Sequence, residues 1–356
     1  MKKQKFPMNR RQMLKLLGVG TMGAFIPGLA NCQSDKQQAD QSEQKYHKPH
    51  QKVKDPSTVS VVKGNDRRDN TFSALKKIED DIMASLEGKK RILVKPNFVS
   101  TSIPLSATHV DAVRGILDFL RPRWDGEIVV GESTASGNGT MAGFKNYDYL
   151  PLEKEYDVKL ADLNEESCVK RYVLGPDNTP VPVRIISSFL DKDQFIISAA
   201  KMKTHDRVLV TLSLKNVLLA APYHDYKKHN DKHNLHLTQK RSRKTPLHYN
   251  MFSLAQEIYP DLGVIDGFEA MEGNGPTQGT PVDARVALAS TDALALDTLT
   301  TKIMGFDPGQ IMYFSSMNKA GMGQGDLSKI QAVGTDLQNV QYHFKPHERM
   351  VEPYGL

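Results

Sequence analysis

The 356-residue chain predicts an α/β protein: a mixed, mostly parallel sheet with flanking helices and a small antiparallel subdomain. Two observations carry that expectation. Short apolar runs rich in valine and isoleucine recur between segments of helical periodicity, the order of strand–helix–strand units in a parallel sheet. Several of those runs end in lysine, asparagine, glutamate or aspartate, and in open α/β sheets ligands bind beyond the carboxyl ends of the strands.

In order along the chain, Thr58 to Lys63 (TVSVVK) predicts a strand, Thr71 to Leu86 an amphipathic helix, and Arg91 to Lys95 (RILVK) a second strand. That second strand delivers Lys95, Pro96 and Asn97 to its carboxyl end. Thr108 is placed to cap a helix from His109 to about Leu120, with Asp111 in its first turn. At a helix N-terminus the dipole disfavours imidazolium, so His109 is either a neutral ligand or base facing a cleft, or a local cap. Glu127 to Gly131 (EIVVG) predicts a third strand, followed by Glu132, Ser133 and a small glycine-rich loop through Gly139. Such a loop can turn backbone amides toward an anion or simply join strand to helix. Neither GxGxxG nor GxxxxGK[ST] follows this strand, which speaks against a dinucleotide or a nucleoside triphosphate. Val158 to Leu160, Arg171 to Leu174 and Val181 to Ile186 predict the short strands of the antiparallel subdomain, with Asp177 and Asn178 as a hairpin turn. Cys168, with no histidine near it in sequence, reads as a surface or half-buried thiol rather than a nucleophile.

Ser198 to Asn216 (SAAKMKTHDRVLVTLSLKN) is the stretch around which the rest is organised. Gln194 to Ala199 predicts a buried strand, and Lys201, Lys203 and His205 follow it. Lysines at a strand exit are either solvated or sited for chemistry. Lys215 lies inside LSLKNVLLAA, where a lysine must reach water, find a partner, or stay buried with a lowered pKa.

Residues 222–248 carry five histidines, His224, His229, His233, His236 and His248, among Lys227, Lys228, Arg241, Arg243 and Lys244. On a helix His229 and His233 would stand one turn apart, the spacing of two ligands to a divalent metal. The other reading is a basic lid over the site, favouring an anionic substrate or membrane phosphates. Thr245 to Tyr259 then predicts a helix and Leu262 to Asp266 a core strand. Its carboxyl end opens into a loop with Glu269, Glu272 and Asn274, where acidic side chains can coordinate a hard cation, orient substrate hydroxyls, or only shape a turn. Asp266 leads that group by position. Arg285 to Ala289 predicts a further strand, and Asp292 to Gly305 and Asp307 to Ala320 predict helices. Asp297 stands out within the apolar ALALDTLT as a carboxylate that could reach the site. Ile330 to Gly334 closes the sheet, and the domain of residues 57–338 gives way to a polar tail at 339–356.

At the other end, Asn9 to Lys15 (NRRQMLK) resembles a twin-arginine export signal, and Leu16 to Ala30 is apolar but too short for a confident membrane span. It runs into Leu29-Ala30-Asn31-Cys32, similar to a lipoprotein cleavage site with Cys32 as the lipidated residue. Residues 33–56 are polar and read as a flexible linker, a tether if Cys32 is lipidated. The expected location is periplasmic, or the outer face of a membrane. The chain has 47 Lys and Arg against 41 Asp and Glu. Six of the cations precede Cys32 with no acid among them, leaving 41 against 41 beyond it. The positive balance is therefore a property of the leader, and no nucleic acid partner is expected.

VKPNF at Val94 to Phe98, KMKTH at Lys201 to His205, LSLKN at Leu212 to Asn216 and DGFEAMEGNGPTQGTP at Asp266 to Pro281, in that order, resemble the domain of unknown function 362 (DUF362) family. The resemblance covers Thr58 to Gly334 and implies a fold and a site more than a reaction. Some members carry cysteine-rich iron–sulfur motifs. Cys32 and Cys168 cannot supply four ligands, so no iron–sulfur cluster is expected. The spacing of His205 and Lys215 is also similar to that of nickel-pincer lactate racemases, which would imply a lysine-held cofactor, although Leu212, Ser213 and Leu214 replace the glycine-rich run of those enzymes.

Residues and resemblance together nominate His205, Lys215, Lys203 and Asp266 as catalytic, and Lys95, Asn97, His109, Lys201, Asn216 and Asn274 as substrate-binding. The expected function is an exported enzyme acting on a small anionic substrate of the hydroxy-acid or sugar-acid kind. Its chemistry would be isomerase-like or redox, with His205 as base and Lys215 holding the anion or a cofactor. The alternative is a non-catalytic lipoprotein that binds an anion or a metal.

Overall fold

Apolar runs buried on both faces make the centre of a mixed sheet in this computed structural model, which describes residues 53–175, 178–236 and 245–356. The strands are β1 (Ser57–Lys63), β2 (Arg91–Lys95), β3 (Glu127–Glu132), β4 (Lys159–Asp162), β5 (Cys168–Leu174), β6 (Pro180–Ile186), β7 (Gln194–His205), β8 (Leu209–Thr211), β9 (Leu262–Asn274), β10 (Gln278–Ser290) and β11 (Ile330–Gly334). The helices are α1 (Arg67–Lys76), α2 (Glu79–Leu86), α3 (Val110–Leu120), α4 (Thr140–Asn146), α5 (Leu152–Tyr156), α6 (Ser213–Leu218), α7 (Asp231–Asn234), α8 (Pro246–Ala255), α9 (Ala293–Ile303), α10 (Met312–Lys319) and α11 (Glu348–Tyr354). The sheet runs β11-β1-β10-β9-β7-β2-β3-β4, with β8 folded back on β7. Pairing is parallel from β9 through β7, β2 and β3 to β4, and antiparallel where β10 joins β9 and β1. The two-stranded antiparallel sheet of β5 and β6 stands apart, as the fold class predicts.

The pleat explains why RILVK has no polar alternation. Ile92 and Val94 face one apolar core with Val113, Ile116 and Leu117 of α3, while Leu93 faces a second core with Leu214 and Val217 of α6 and Leu296 of α9. Each such side chain contributes roughly 1.5–3 kcal/mol by leaving water.

Several boundaries differ from expectation. The helix expected over Thr71 to Leu86 is two, α1 and α2, because Ile78 leaves helical geometry at φ −124° and ψ 27° while its side chain stays buried. His109, not Thr108, caps α3: its Nδ1 accepts from Asp111 N at 3.2 Å. The Thr108 hydroxyl instead donates to Ala199 O at 2.7 Å and accepts from Asn97 N at 2.9 Å. The strand expected at Val158 to Leu160 is β4, a parallel edge strand beside β3 rather than part of the small sheet. Asp177 of the expected hairpin turn lies outside the described residues.

The larger corrections concern β7, β9 and the tail. β7 does not stop at Ala199; it continues to His205 with all twelve residues buried, so Lys201, Lys203 and His205 lie on the strand itself. The glycine-rich segment after Asp266 is not a loop but a hairpin of β9 and β10, paired from Gly263↔Ser290 to Asn274↔Gln278. Beyond residue 339 the chain is packed, with Phe344, Met350 and Tyr354 buried and Gly273 N donating to Lys345 O at 2.7 Å. Among the described residues no helix is long and apolar enough to cross a membrane.

Candidate functional site

A pocket of about 120 Å³ opens where β2, β3 and β7 end, lined by Lys95, Asn97, Glu132, Lys203, His205, Lys215, Asn216, Lys232 and His236 among others. One buried water needs on the order of 10–15 Å³, so the space suits a small organic molecule. Six of the ten residues nominated from the sequence meet here: Lys95, Asn97, Lys203, His205, Lys215 and Asn216.

Each is held by local necessity. Lys95 Nζ donates to Asn216 Oδ1 at 2.7 Å, to Glu132 Oε2 at 3.0 Å and to its neighbour Pro96 O at 2.8 Å, which occupies all three ammonium protons. Asn97 Nδ2 shares the same Asn216 oxygen at 2.9 Å, and Asn97 Oδ1 takes a bond from Lys203 Nζ at 2.6 Å. Lys203 also donates to Ser106 O. Lys232 reaches in from α7 to Ser133 Oγ, Ala220 O and Pro222 O. Lys215 differs. It is 8% exposed, and no described protein group hydrogen-bonds its Nζ.

Lys215 is the third residue of α6, and Asp297 fixes where that helix starts. The Asp297 carboxylate accepts from Ser213 N and Leu214 N, both at 2.9 Å, satisfying two of the helix's free N–H groups. Asp297 therefore reaches the site only through this cap. Burial pushes its pKa up to about 8 against those two donors.

The electrostatics follow from crowding cations in a buried space. Burial lowers Lys95 despite its Glu132 partner, and lowers Lys215 to about 8 and Lys232 to about 7. Lys203 falls well below the usual amine range, first through burial and then through the charge of Lys215. The same two causes hold His205 well below the imidazole range and His236 at about 3. His205 is thus a neutral ring. Its Nδ1 accepts from Arg207 N at 3.1 Å, which assigns the ring proton to Nε2. The ring therefore presents a donor, where the sequence suggested a base.

The other nominated residues lie elsewhere. Asp266 and Lys201, both buried, form a separate cluster with the half-buried Arg67 and the exposed His109: Asp266 Oδ1 stands 3.2 Å from Arg67 Nε, Oδ2 stands 3.6 Å from Lys201 Nζ, and Oδ2 accepts from His109 N at 3.1 Å. Burial works against the Asp266 carboxylate, but Lys201 and Arg67 hold it below its usual range. Burial and Arg67 lower His109. Asn274 sits at the end of β9, where its Oδ1 accepts from Glu348 N at 3.3 Å, and Pro276 rather than Asn274 borders the pocket. His229 precedes α7, so it shares no helical face with His233. Among the described residues no three His, Cys, Asp or Glu side chains gather as a metal site. Cys32 and the export signal lie outside the described residues, as do 237–244 of the basic lid. Cys168 is half-buried and its thiol pKa is raised by burial.

Sequence reasoning missed Glu132, Lys232 and His236 as parts of this site. Glu132 had a signal, since it ends a core strand as Lys95 does. Lys232 had none, because the bond to Ser133 spans 99 residues.

A parallel-centred α/β sheet with a cationic pocket at its strand ends defines the class of protein. A family model described as a domain of unknown function (DUF362) matches residues 92–302, more than half of the chain, and the chain belongs to that family. A thylakoid-associated protein of Synechocystis sp. is 26% identical over 234 residues, covering 65% of this chain and 68% of that protein. Among solved structures, a Thermotoga maritima protein aligns at TM-score 0.39 and 15% identity, over 62% of this chain and 55% of its own. The lactate racemase apoprotein of Thermoanaerobacterium thermosaccharolyticum aligns at TM-score 0.43 and 12% identity, over 75% of this chain and 62% of its own. This chain spans less than two thirds of either solved chain.

Proposed function

We propose that the pocket binds a small organic anion, of the hydroxy-acid or sugar-acid kind, and carries out acid–base chemistry on it. One observation carries the reading: among the described residues, four lysines line a space whose lining contains one carboxylate, Glu132, already taken by Lys95. Buried cations without counter-charge are costly, and an entering carboxylate supplies the missing charge. Two side chains then have distinct roles. The neutral His205 donates Nε2–H to a substrate oxygen, stabilising negative charge that develops there. The Lys215 amine, with a pKa of about 8, accepts the proton removed from the adjacent carbon.

The twin-arginine-like leader and Cys32 support a protein exported and tethered to a membrane face, and the thylakoid association of the Synechocystis relative agrees with a membrane setting. Solvent-deuterium exchange tests the catalytic half of the proposal. A panel of hydroxy and sugar acids incubated with the protein in heavy water should show one member losing its α-hydrogen signal, with Lys215→Met abolishing the loss. Saturable binding without exchange or conversion of any bound acid would leave a binding protein and overturn the enzyme reading.

A further inference from the structure

We propose that Lys215 is a covalent catalyst whose amine condenses with the carbonyl of a 2-oxo acid to form an imine. The inference rests on the reading of the pocket as an anion site and names the substrate class. The four lysines of the pocket differ in their partners. Lys95 and Lys232 each spend three donors on protein acceptors, and Lys203 spends two. An ammonium bound in that way gives up a hydrogen bond when it loses a proton, and its lone pair would face an acceptor. Lys215 has no such tie among the described residues, is more than nine-tenths buried, and lines the pocket.

Its surroundings favour the free amine. Burial and the charge of Lys95 act in the same direction, and Asp206 opposes them. An amine desolvated beside other cations is the arrangement in which lysine becomes a nucleophile toward carbonyls.

The step balances without an oxidant or reductant. The Nζ lone pair forms the nitrogen–carbon bond while the carbonyl π pair moves to oxygen, which His205 Nε2–H can stabilise. Both amine protons pass to that oxygen, which leaves as one water, and the imine remains. A 2-oxo acid fits better than a simple aldehyde because its carboxylate meets a pocket wall that includes Lys95 and Lys232. The imine would then draw electrons from the next carbon, so with a 2-oxo acid Lys215 acts as an electron sink and not as the base it is toward a hydroxy acid.

Glyoxylate, pyruvate and 2-oxobutyrate, each with the full-length protein and sodium borohydride, provide the test. The expected result is a single borohydride-dependent adduct with the mass of one reduced 2-oxo acid, mapped by peptide sequencing to Lys215 and blocked by an excess of the same acid's 2-hydroxy analogue. No adduct with any of the three, or labelling spread over surface lysines and equal in Lys215→Arg, overturns it. Because mapping uses the wild-type chain, misfolding of the variant cannot decide the result. Calorimetry with lactate and sulfate separates the two levels. If these anions bind and no adduct forms, imine chemistry fails and the anion site stands. If they do not bind, the anion reading fails with it.

Discussion

Lys95 and Asn216, 121 residues apart, exchange hydrogen bonds: Lys95 Nζ donates to Asn216 Oδ1 at 2.7 Å, and Asn216 Nδ2 donates back to Lys95 O at 3.1 Å. This pair locks the end of β2 to α6 and so fixes the floor of the pocket. A second bond from Asn216 Nδ2 to Ser198 Oγ at 3.0 Å brings in β7.

Removing that lock should be costly. Asn216→Ala leaves Lys95 Nζ and Lys95 O short of partners in a buried setting, a loss of roughly 2–4 kcal/mol. Urea unfolding should show a lower midpoint with an unchanged slope.

Glu132 should separate stability from affinity. Its carboxylate accepts from Lys95 Nζ, from Phe98 N at 2.7 Å and from Ser133 N at 2.6 Å. Glu132→Gln points an amide donor at one of these donors and should cost roughly 1–3 kcal/mol of stability. It also removes the carboxylate lining the pocket, so sulfate should bind more tightly. Chemical denaturation and calorimetry on the same sample check the opposite signs.

The buried amines should make the ligand-free protein more stable as pH rises from about 7 to about 10. Lys232 and Lys215 titrate at about 7 and about 8 when folded, against about 10.4 when unfolded. Between those values the unfolded chain holds more protons than the folded one, so raising the pH favours the fold. Below about 7 both states are protonated and these groups contribute no slope. Thermal unfolding midpoints across this range check the sign, and Lys232→Met should flatten the curve.

Asp266 should behave as a structural ion rather than as part of the pocket. Asp266→Asn leaves Arg67 and Lys201 without their carboxylate, at a cost of roughly 3–5 kcal/mol. The fraction that folds should still bind sulfate, which titration at reduced temperature would show.

The sequence displays the parallel core clearly because both faces of β2 and the first half of β7 are covered, and continuous apolar runs result. It hides the rest of β7 because Lys201, Lys203 and His205 look like a strand exit. The two lysines are buried because Asp266 comes to Lys201, and Asn97 and Ser106 to Lys203, from distant parts of the chain. The β9–β10 hairpin is hidden for a related reason, since Gly267 and Gly273 suggest a loop. Gly267 is glycine because an added Cβ would lie 2.7 Å from Met202 Sδ and 2.8 Å from Val286 Cγ2, and Gly273 because φ is 73°. Asp297 is conspicuous in the sequence, but its purpose as the cap of α6 depends on a contact across 84 residues.

The most direct test of the central claim is calorimetric titration of the full-length protein with lactate and with sulfate at about pH 6.5 and about pH 9, where the buried amines differ in charge. The account predicts one saturable site per chain, at least about tenfold tighter at the lower pH and competed for by either anion. No saturable binding, or equal affinity at the two pH values, would contradict it.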